Sequence, residues 1–427
     1  MIDLKRLRQD PDGSRASLLR RRDPSVGPLL DAILDLDRQR RELLVQVEAR
    51  KAERNAATEE VARRKRAKEP ADDLMARLRA SGEEVKALDA RLREIETALE
   101  ARALAVPNFP AEEAPDGDAS ANRVVRTWGE PPSFEFAPRP HWELGTALGI
   151  LDLPAGAKLA GSGFPLFRGF GARLVRALSG FMLDLHTREH GYEEVAPPYL
   201  VNRATATGTG QLPKFEEDLY AVPSDDLFLI PTAEVPLTNI HRDEILEAAD
   251  LPRGYCAWTP CFRREAGAHG KDTRGLIRVH QFDKVELVRF ARPEESAAEH
   301  QRLTGHAEAV LQRLGLPYRV VELAAGDTGF GSARTFDLEV WAAGVGTWLE
   351  ASSSSTFTDF QARRANIRYR PEPKAKPEFV HTLNASGVAF PRTIVALLEN
   401  NQAADGSVRV PEALVPYLGV DRLVPRA

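Results

Sequence analysis

Residues 261–265 read Cys261-Phe262-Arg263-Arg264-Glu265, and residues 271–286 read Lys271-Asp272-Thr273-Arg274-Gly275-Leu276-Ile277-Arg278-Val279-His280-Gln281-Phe282-Asp283-Lys284-Val285-Glu286. Two β-type runs flank a stretch rich in Gly, Asp and Thr, a pattern that predicts an antiparallel hairpin with a long mobile tip. Alternate side chains of a strand share a face. Arg263 and Glu265 are therefore expected on one face of the first strand, and Phe282, Lys284 and Glu286 on one face of the second. An arginine, an acid and an aromatic ring converging on a sheet suit a phosphate, a base edge and a base plane. Surface salt bridges would explain the charges but not this concentration of residue types.

The runs around this hairpin extend it into a sheet. Leu227-Phe228-Leu229-Ile230, Lys284-Val285-Glu286-Leu287-Val288 and Tyr318-Arg319-Val320-Val321 are β-type, while residues 173–189 and 294–314 read as helices. Strands cluster between about Phe228 and Leu349 without a steady alternation with helices, so the expected class is α+β with an antiparallel sheet. Gly161-Ser162-Gly163 and Gly208-Thr209-Gly210 lack a third glycine, and no glycine-rich segment ends in Gly-Lys-Ser or Gly-Lys-Thr. Neither a dinucleotide fold nor a Walker loop is predicted.

The N-terminal third has another texture. Between Pro28 and Ala103, Arg, Glu, Ala and Leu dominate, all strong helix formers. Leu29, Ile33, Leu36, Leu43 and Val47 form one narrow apolar seam, and Leu78, Val85, Leu88, Leu92, Ile95 and Leu99 another. Pro70 interrupts the helix between them, and Asp72 or Asp73 is expected to cap the second. Two antiparallel helices, each roughly 50–55 Å long, make a coiled-coil arm. Arg50, Lys51, Arg54, Arg63, Arg64, Lys65, Arg66 and Lys68 crowd its far end. That crowd reads either as a solvated face or as a phosphate-binding tip. Residues 1–105 are thus one expected domain, 106–122 a linker, and 123–427 a second domain.

Composition narrows the functions available. With 58 Lys+Arg against 63 Asp+Glu, the net charge of −5 excludes global basicity as the draw to a polyanion, so any nucleic-acid surface is a local patch. The only two cysteines, Cys256 and Cys261, support neither a disulfide framework nor a zinc site and are expected to be reduced. No run of about eighteen apolar residues offers a membrane span, and the N-terminus lacks a signal-peptide core. A cytoplasmic protein without zinc or membrane association is expected.

Phe262-Arg263-Arg264-Glu265, Asp272-Thr273-Arg274-Gly275-Leu276 and His280-Gln281-Phe282 together closely resemble motif 2 of the seryl-tRNA synthetases, class II aminoacyl-tRNA synthetases of the bacterial type with a coiled-coil arm. His190-Gly191-Tyr192-Glu193-Glu194-Val195-Ala196-Pro197-Pro198 is similar to motif 1, which places Pro198 in a dimer interface. Gly208-Thr209-Gly210-Gln211-Leu212-Pro213-Lys214-Phe215 and Pro231-Thr232-Ala233-Glu234 resemble the substrate-side loops. Leu349-Glu350-Ala351-Ser352-Ser353 and Leu383-Asn384-Ala385-Ser386-Gly387, with Arg392-Thr393-Ile394 following, resemble motif 3 and its approach. Val388-Ala389-Phe390-Pro391 departs from the smaller residues of many members while keeping the spacing to Arg392. The four serines from Ser352 to Ser355 read either as low complexity or as a functional run.

The resemblance implies a homodimer that attaches serine to tRNA(Ser) with ATP and Mg²⁺ through a seryl-adenylate; it leaves serylation of tRNA(Sec) open. It implies Arg263, Glu350 and Arg392 as catalytic: Arg263 between the α-phosphate and the serine carboxylate, Arg392 on the γ-phosphate, and Glu350 with Ser353 as Mg²⁺ ligands. ATP would also meet Arg264, Glu265, Val279, Phe282, Ala351 and Ser352. Serine would meet Thr232, Ala233, Glu234, Arg263, Glu286 and Ser386. The basic arm would take the backbone of the tRNA. An amino acid:carrier-protein ligase, expected to lack the arm, and an inactive tRNA-binding scaffold, expected to lack the ATP ligands, are the alternatives.

Overall fold

The computed structural model describes residues 1–266 and 274–425; the expected mobile tip, with Lys271, Asp272 and Thr273, lies outside the described residues. The chain divides into two compact units. One holds Ile2–Leu19 and Asp23–Pro107; the other holds Met1, Arg20–Arg22 and the chain from Asn108 onward.

In the first unit two long helices, α1 (Val26–Ala67) and α2 (Asp72–Leu104), lie along each other. At 1.5 Å per residue they span roughly 63 and 50 Å. Pro28 is tolerated because it falls in the first turn of α1, where amides have no intrahelical acceptor. The cross-helix pairs Lys51–Asp89 and Arg64–Asp73 step in opposite chain directions, so the helices are antiparallel. Of the predicted seam, Ile33, Leu43 and Val47 of α1 and Val85, Ile95 and Leu99 of α2 are buried, while Leu29, Leu36, Leu78, Leu88 and Leu92 are only half-buried; Leu30 and Val61, which the spacing did not single out, are buried as well. Lys68 closes α1 in a left-handed conformation. The expected aspartate cap is corrected: Ala71 occupies the cap position and offers no side-chain acceptor. Asp72 and Asp73 instead sit in the first turn, where their charge faces the positive helix end.

The second unit is built on an eight-stranded sheet. Its strands are β1 (Arg123–Trp128), β2 (Glu193–Glu194), β3 (Arg253–Phe262), β4 (Gln281–Ala291), β5 (Tyr318–Glu322), β6 (Arg334–Ala342), β7 (Thr347–Thr358) and β8 (His381–Ala389), in the order β1-β5-β6-β7-β8-β4-β3-β2. All neighbours are antiparallel except the edge pair of β2 with β3. Helices α3 (Phe170–Arg188), α4 (Ser296–Arg313) and α5 (Phe390–Asn400) cover one face. Val285 and Leu287 of β4 and Leu383 and Ala385 of β8 enter the core with them. Their alternating neighbours Lys284, Glu286, Asn384 and Ser386 point to the other face, as a two-residue period requires.

The segment read as a linker is tied to this unit from Asn108 on. The Asn108 side chain donates to the carbonyls of Gly331 (3.0 Å) and Phe357 (2.8 Å), and the amide of Ala111 donates to Ala333. Those bonds satisfy polar groups that a buried loop would otherwise strand.

Candidate active site

Two adjoining concavities open on the sheet face opposite α3 and α4, and the first turn of α5, with Pro391 and Arg392, edges the first of them. Glu265, Val279, Phe282 and Arg392 line the first. Thr232, Glu234, Glu286 and Ser353 line the second. Arg263, Lys284, Glu350 and Ser386 line both and so mark where they meet.

Strand alternation brings Phe282, Lys284 and Glu286 into line as expected, but the expectation for Arg263 and Glu265 needs correction. Strand β3 ends at Phe262, and Glu265 takes a left-handed backbone conformation with φ of 51°. Arg263 is instead placed by its amide, which donates to His280, and by its Nε, which donates to Pro231 O at 3.3 Å. Its guanidinium lies 5.2 Å from the centre of the Phe282 ring, within cation–π range. Glu265 is paired with Arg278.

A bulge in β7 places the acid of the junction. Leu338 of β6 opposes Ser352 and Glu339 opposes Glu350, leaving Ala351 as the extra residue. Glu350 and Ser353, three apart, thereby share a face. Arg392 Nη1 lies 3.2 Å from Glu350 Oε2 and donates to Glu350 O at 2.7 Å, while its Nε donates to Ile277 O. Asp337 of β6 bonds the Ser353 hydroxyl, and its Oδ1 is buried with no partner among the described residues. Burial first, and then the charge of Glu350, hold the Asp337 carboxyl well above the usual carboxylate range. Glu350, Ser353 and Asp337 are an all-oxygen donor set, the chemistry that suits Mg²⁺.

The second concavity holds a buried charge network. Lys284 pairs with Glu286 Oε2 and donates to Thr232 Oγ1 at 2.9 Å; Thr232 in turn donates to Glu286 Oε2 at 2.8 Å. Lys284 and Glu286 side chains are 6% and 1% exposed, so the pair is desolvated and depends on these bonds. Glu286 Oε1 has no partner among the described residues, which leaves a buried acceptor open to the cleft. Glu234 is buried, receives a bond from Gln361 at 2.6 Å, and has its carboxyl pushed up to about 7, by burial first and then by the charge of Glu286.

Some expected residues stand elsewhere. The Ser352 hydroxyl is buried and donates to Ser386 O at 2.6 Å, so its side chain does not line the cleft. Ala233 lies in the core beside β3 and β4, and Arg264 is exposed outside both concavities. Burial pushes the Cys256 thiol up to about 12 and raises that of Cys261, and both are free. Pro198 is exposed, next to Tyr199 and Leu200 at 46% and 43% exposure. In the first unit Arg63 pairs with Glu60, Arg64 with Glu60 and Asp73, Arg50 with Glu53 and Glu84, and Lys51 with Asp89. Arg54, Lys65 and Arg66 lie along the same stretch of α1.

Lys284, Asp337 and Gln361 are site residues that sequence reasoning did not assign. The alternation Phe282, Lys284, Glu286 carried a signal for the lysine; a lone aspartate in β6 and a glutamine more than a hundred residues from Glu234 carried none.

Residues 1–110 match the family described as Seryl-tRNA synthetase N-terminal domain, and residues 215–401 match the tRNA synthetase class II core domain (G, H, P, S and T). The serine–tRNA ligase of Gemmatimonas aurantiaca is 58% identical over 420 residues, covering 98% of this chain and 99% of that protein. That of Citrifermentans bemidjiense is 57% identical over the same shares. The crystal structure of seryl-tRNA synthetase from Pyrococcus horikoshii complexed with ATP superposes with a TM-score of 0.94 at 38% identity, covering all of both chains.

Proposed function

The chain belongs to the seryl-tRNA synthetase family, and from that premise we propose that it attaches serine to tRNA through a seryl-adenylate formed at the junction of the two concavities. The observation that carries this reading is the meeting of Arg263, Lys284, Glu350 and Ser386 where a carboxylate and a phosphate would have to come together.

A serine carboxylate oxygen forms a bond to the α-phosphorus as the bond to the β-phosphate oxygen breaks and pyrophosphate leaves. A hydroxyl of the terminal adenosine of the tRNA then attacks the acyl carbonyl, loses its proton, and releases AMP. Neither step uses an enzyme nucleophile, so the protein positions the groups and stabilises charge. Arg263, a planar cation at the junction, counters the repulsion between carboxylate and α-phosphate. Phe282 takes the adenine plane, with Glu265 and Val279 at the base edge. Arg392, now held against Glu350, would turn to the outer phosphates, and Glu350 with Ser353 are the residues that would hold Mg²⁺. Bound there, Mg²⁺ would draw charge from the departing pyrophosphate. Glu286 Oε1 accepts from serine, whose hydroxyl a smaller amino acid lacks, and Lys284 and Thr232 keep that carboxylate in place. Glu234 and Glu286 supply negative charge for the ammonium group.

Residues 1–105 serve the tRNA, with Arg50, Lys51, Arg54, Arg63, Arg64, Lys65 and Arg66 at its phosphates, and residues 123–427 serve the chemistry. The exposed run Pro198-Tyr199-Leu200 supports a homodimer. Among the described residues no helix is long and apolar enough to cross a membrane. Neither a carrier-protein ligase nor an inactive scaffold is favoured by any of these observations.

Pyrophosphate–ATP exchange on the purified protein with Mg²⁺, offered each amino acid in turn, tests the reading. Exchange with serine alone is expected, and exchange with none overturns it. Charging of tRNA(Ser) and tRNA(Sec) transcripts then defines the acceptor.

A further inference from the structure

The ladder between β8 and β4 breaks beside the amino-acid pocket. Ser386 pairs with Glu286, but the next pairing joins Ala389 to Lys284, so Gly387 and Val388 oppose Val285 alone. Backbone carbonyls at such a break need other donors. Two side chains reach them from the helix-covered face. Ser352 Oγ donates to Ser386 O at 2.6 Å, and His186 Nε2, on α3, lies 3.3 Å from Gly387 O. The approach leaves no room for a side chain at 387: a Cβ there would sit 2.8 Å from His186 Nε2 and 3.2 Å from Leu287 Cγ.

The histidine is itself oriented. Its other nitrogen, Nδ1, lies 3.0 Å from Nδ1 of His190. His190 stacks on His306 with centroids 4.0 Å apart and planes 10° apart, and His306 Nδ1 meets the Tyr192 hydroxyl at 2.9 Å. Burial pushes His186 down to about 3, so it is neutral near pH 7 and carries one proton. Because Nε2 faces a carbonyl, that proton is on Nε2; Nδ1 must then accept, and His190 must donate.

We propose that His186 is a positioning residue of the amino-acid pocket: its Nε2–H holds Gly387 O at the ladder break and so fixes Ser386 opposite Glu286, while His190 holds His186 in the donating tautomer. The proposal rests on the reading of this cleft as the site of serine activation. Arg392 is held separately, by Ile277 O and Glu350 O, so the effect falls on serine more than on ATP.

The test is pyrophosphate exchange with full-length protein, with KM for serine and for ATP measured separately and thermal unfolding as the check on folding. His186→Leu should raise KM for serine about tenfold while KM for ATP changes less than about twofold, the size of one lost hydrogen bond. His186→Gln, whose amide can donate from nearly the same place, should return KM for serine to within about threefold of wild type. Equal impairment of the Leu and Gln variants, or a parallel rise in KM for ATP, overturns the proposal. If His186→Leu does not fold, His190→Phe decides: it keeps the stack on His306 and removes the donor, and should raise KM for serine about threefold. An unchanged KM in folded His190→Phe overturns the role of His190 and with it the oriented clasp. Absence of serine exchange in the wild type overturns the adenylation reading, and this one with it. Wild-type exchange with a fully active His186→Leu overturns this one alone.

Discussion

The half of the helical pair nearest its turn and the floor of the cleft both carry arginines and lysines beside carboxylates, yet the physics of the two regions is opposite. Arg63 and Glu60 on α1 keep 63% and 34% of their side chains exposed, and Arg50 and Glu53 keep 49% and 64%. Such pairs sit in high dielectric, are screened by salt, and hold the fold together weakly. Their partners are therefore easily exchanged for phosphates. Lys284 and Glu286, at 6% and 1%, cannot exchange partners without stranding a buried charge. On the proposed reading, the surface offered to a long polyanion uses the first kind of pair, and the site offered to two reacting anions uses the second.

The largest effects should come from the cleft. Arg263→Ala is expected to lower kcat for serine-dependent exchange about 1,000-fold, the size of one lost charge-stabilising group at a reacting centre. Because Arg263 is open to solvent, its melting temperature should hardly move. Comparable loss of stability and activity in that variant would erase the distinction between the two regions. Lys284→Met removes one partner of a desolvated pair, and chemical denaturation should show a loss of about 3–5 kcal/mol. A stability equal to wild type would mean that water reaches Glu286 and that the cleft resembles the arm.

The arm was legible because its determinants are local. Apolar residues at threes and fours, the scarcity of Gly, and Pro70 at the turn define two helices without any knowledge of the rest of the chain. The hairpin around Phe282 was legible for the same reason, since alternation along one strand sets its faces. What escaped depends on pairings between distant strands. The bulge at Ala351 puts Glu350 and Ser353 on one side and sends Ser352 to the other, and it exists only in the register of β7 against β6. The left-handed turn at Glu265 and the bonds of Asn108 to Gly331 and Phe357 are likewise set by tertiary context. The serine run, which read either as low complexity or as functional, shows the same principle: Ser354 bonds Thr304 and Ser355 bonds Thr335, a polar seam whose partners lie 50 and 20 residues away.

Proton dependence gives a sharper, smaller test. Glu234 titrates at about 7, above its ordinary value, because it is buried and faces Glu286. If its carboxylate meets the serine ammonium, binding below pH 7 must first expel a proton, and KM for serine should rise about tenfold per unit of pH fall. The same raised value has the opposite sign for folding. Its stabilising contribution is full below the unfolded value near 4.5 and is lost as pH rises through 7. Serine affinity and this part of the stability should therefore move in opposite directions between pH 8 and 6. Glu234→Gln should flatten the KM profile in that range; an unchanged profile would remove Glu234 from serine binding.

The smallest expected effect is in the arm, where it tests the other half of the contrast. Arg63 pairs only with its helical neighbour Glu60 among the ion pairs observed, three residues back along the same face. Arg63→Ala should leave pyrophosphate exchange and the melting temperature as they are, because an exposed pair three residues apart contributes little to folding. Charging of tRNA should still suffer: KM for tRNA is expected to rise about threefold, and the slope of its logarithm against that of salt concentration to fall by about 1, as one phosphate contact is lost. A change in the absolute KM with no change in the salt slope would point to altered helix packing. A change in neither would leave Arg63 a solvated charge, and the phosphate contacts would then have to come from the other basic residues along α1. The salt slope decides between these because a lost counterion-releasing contact alters it, whereas a repacked apolar seam does not.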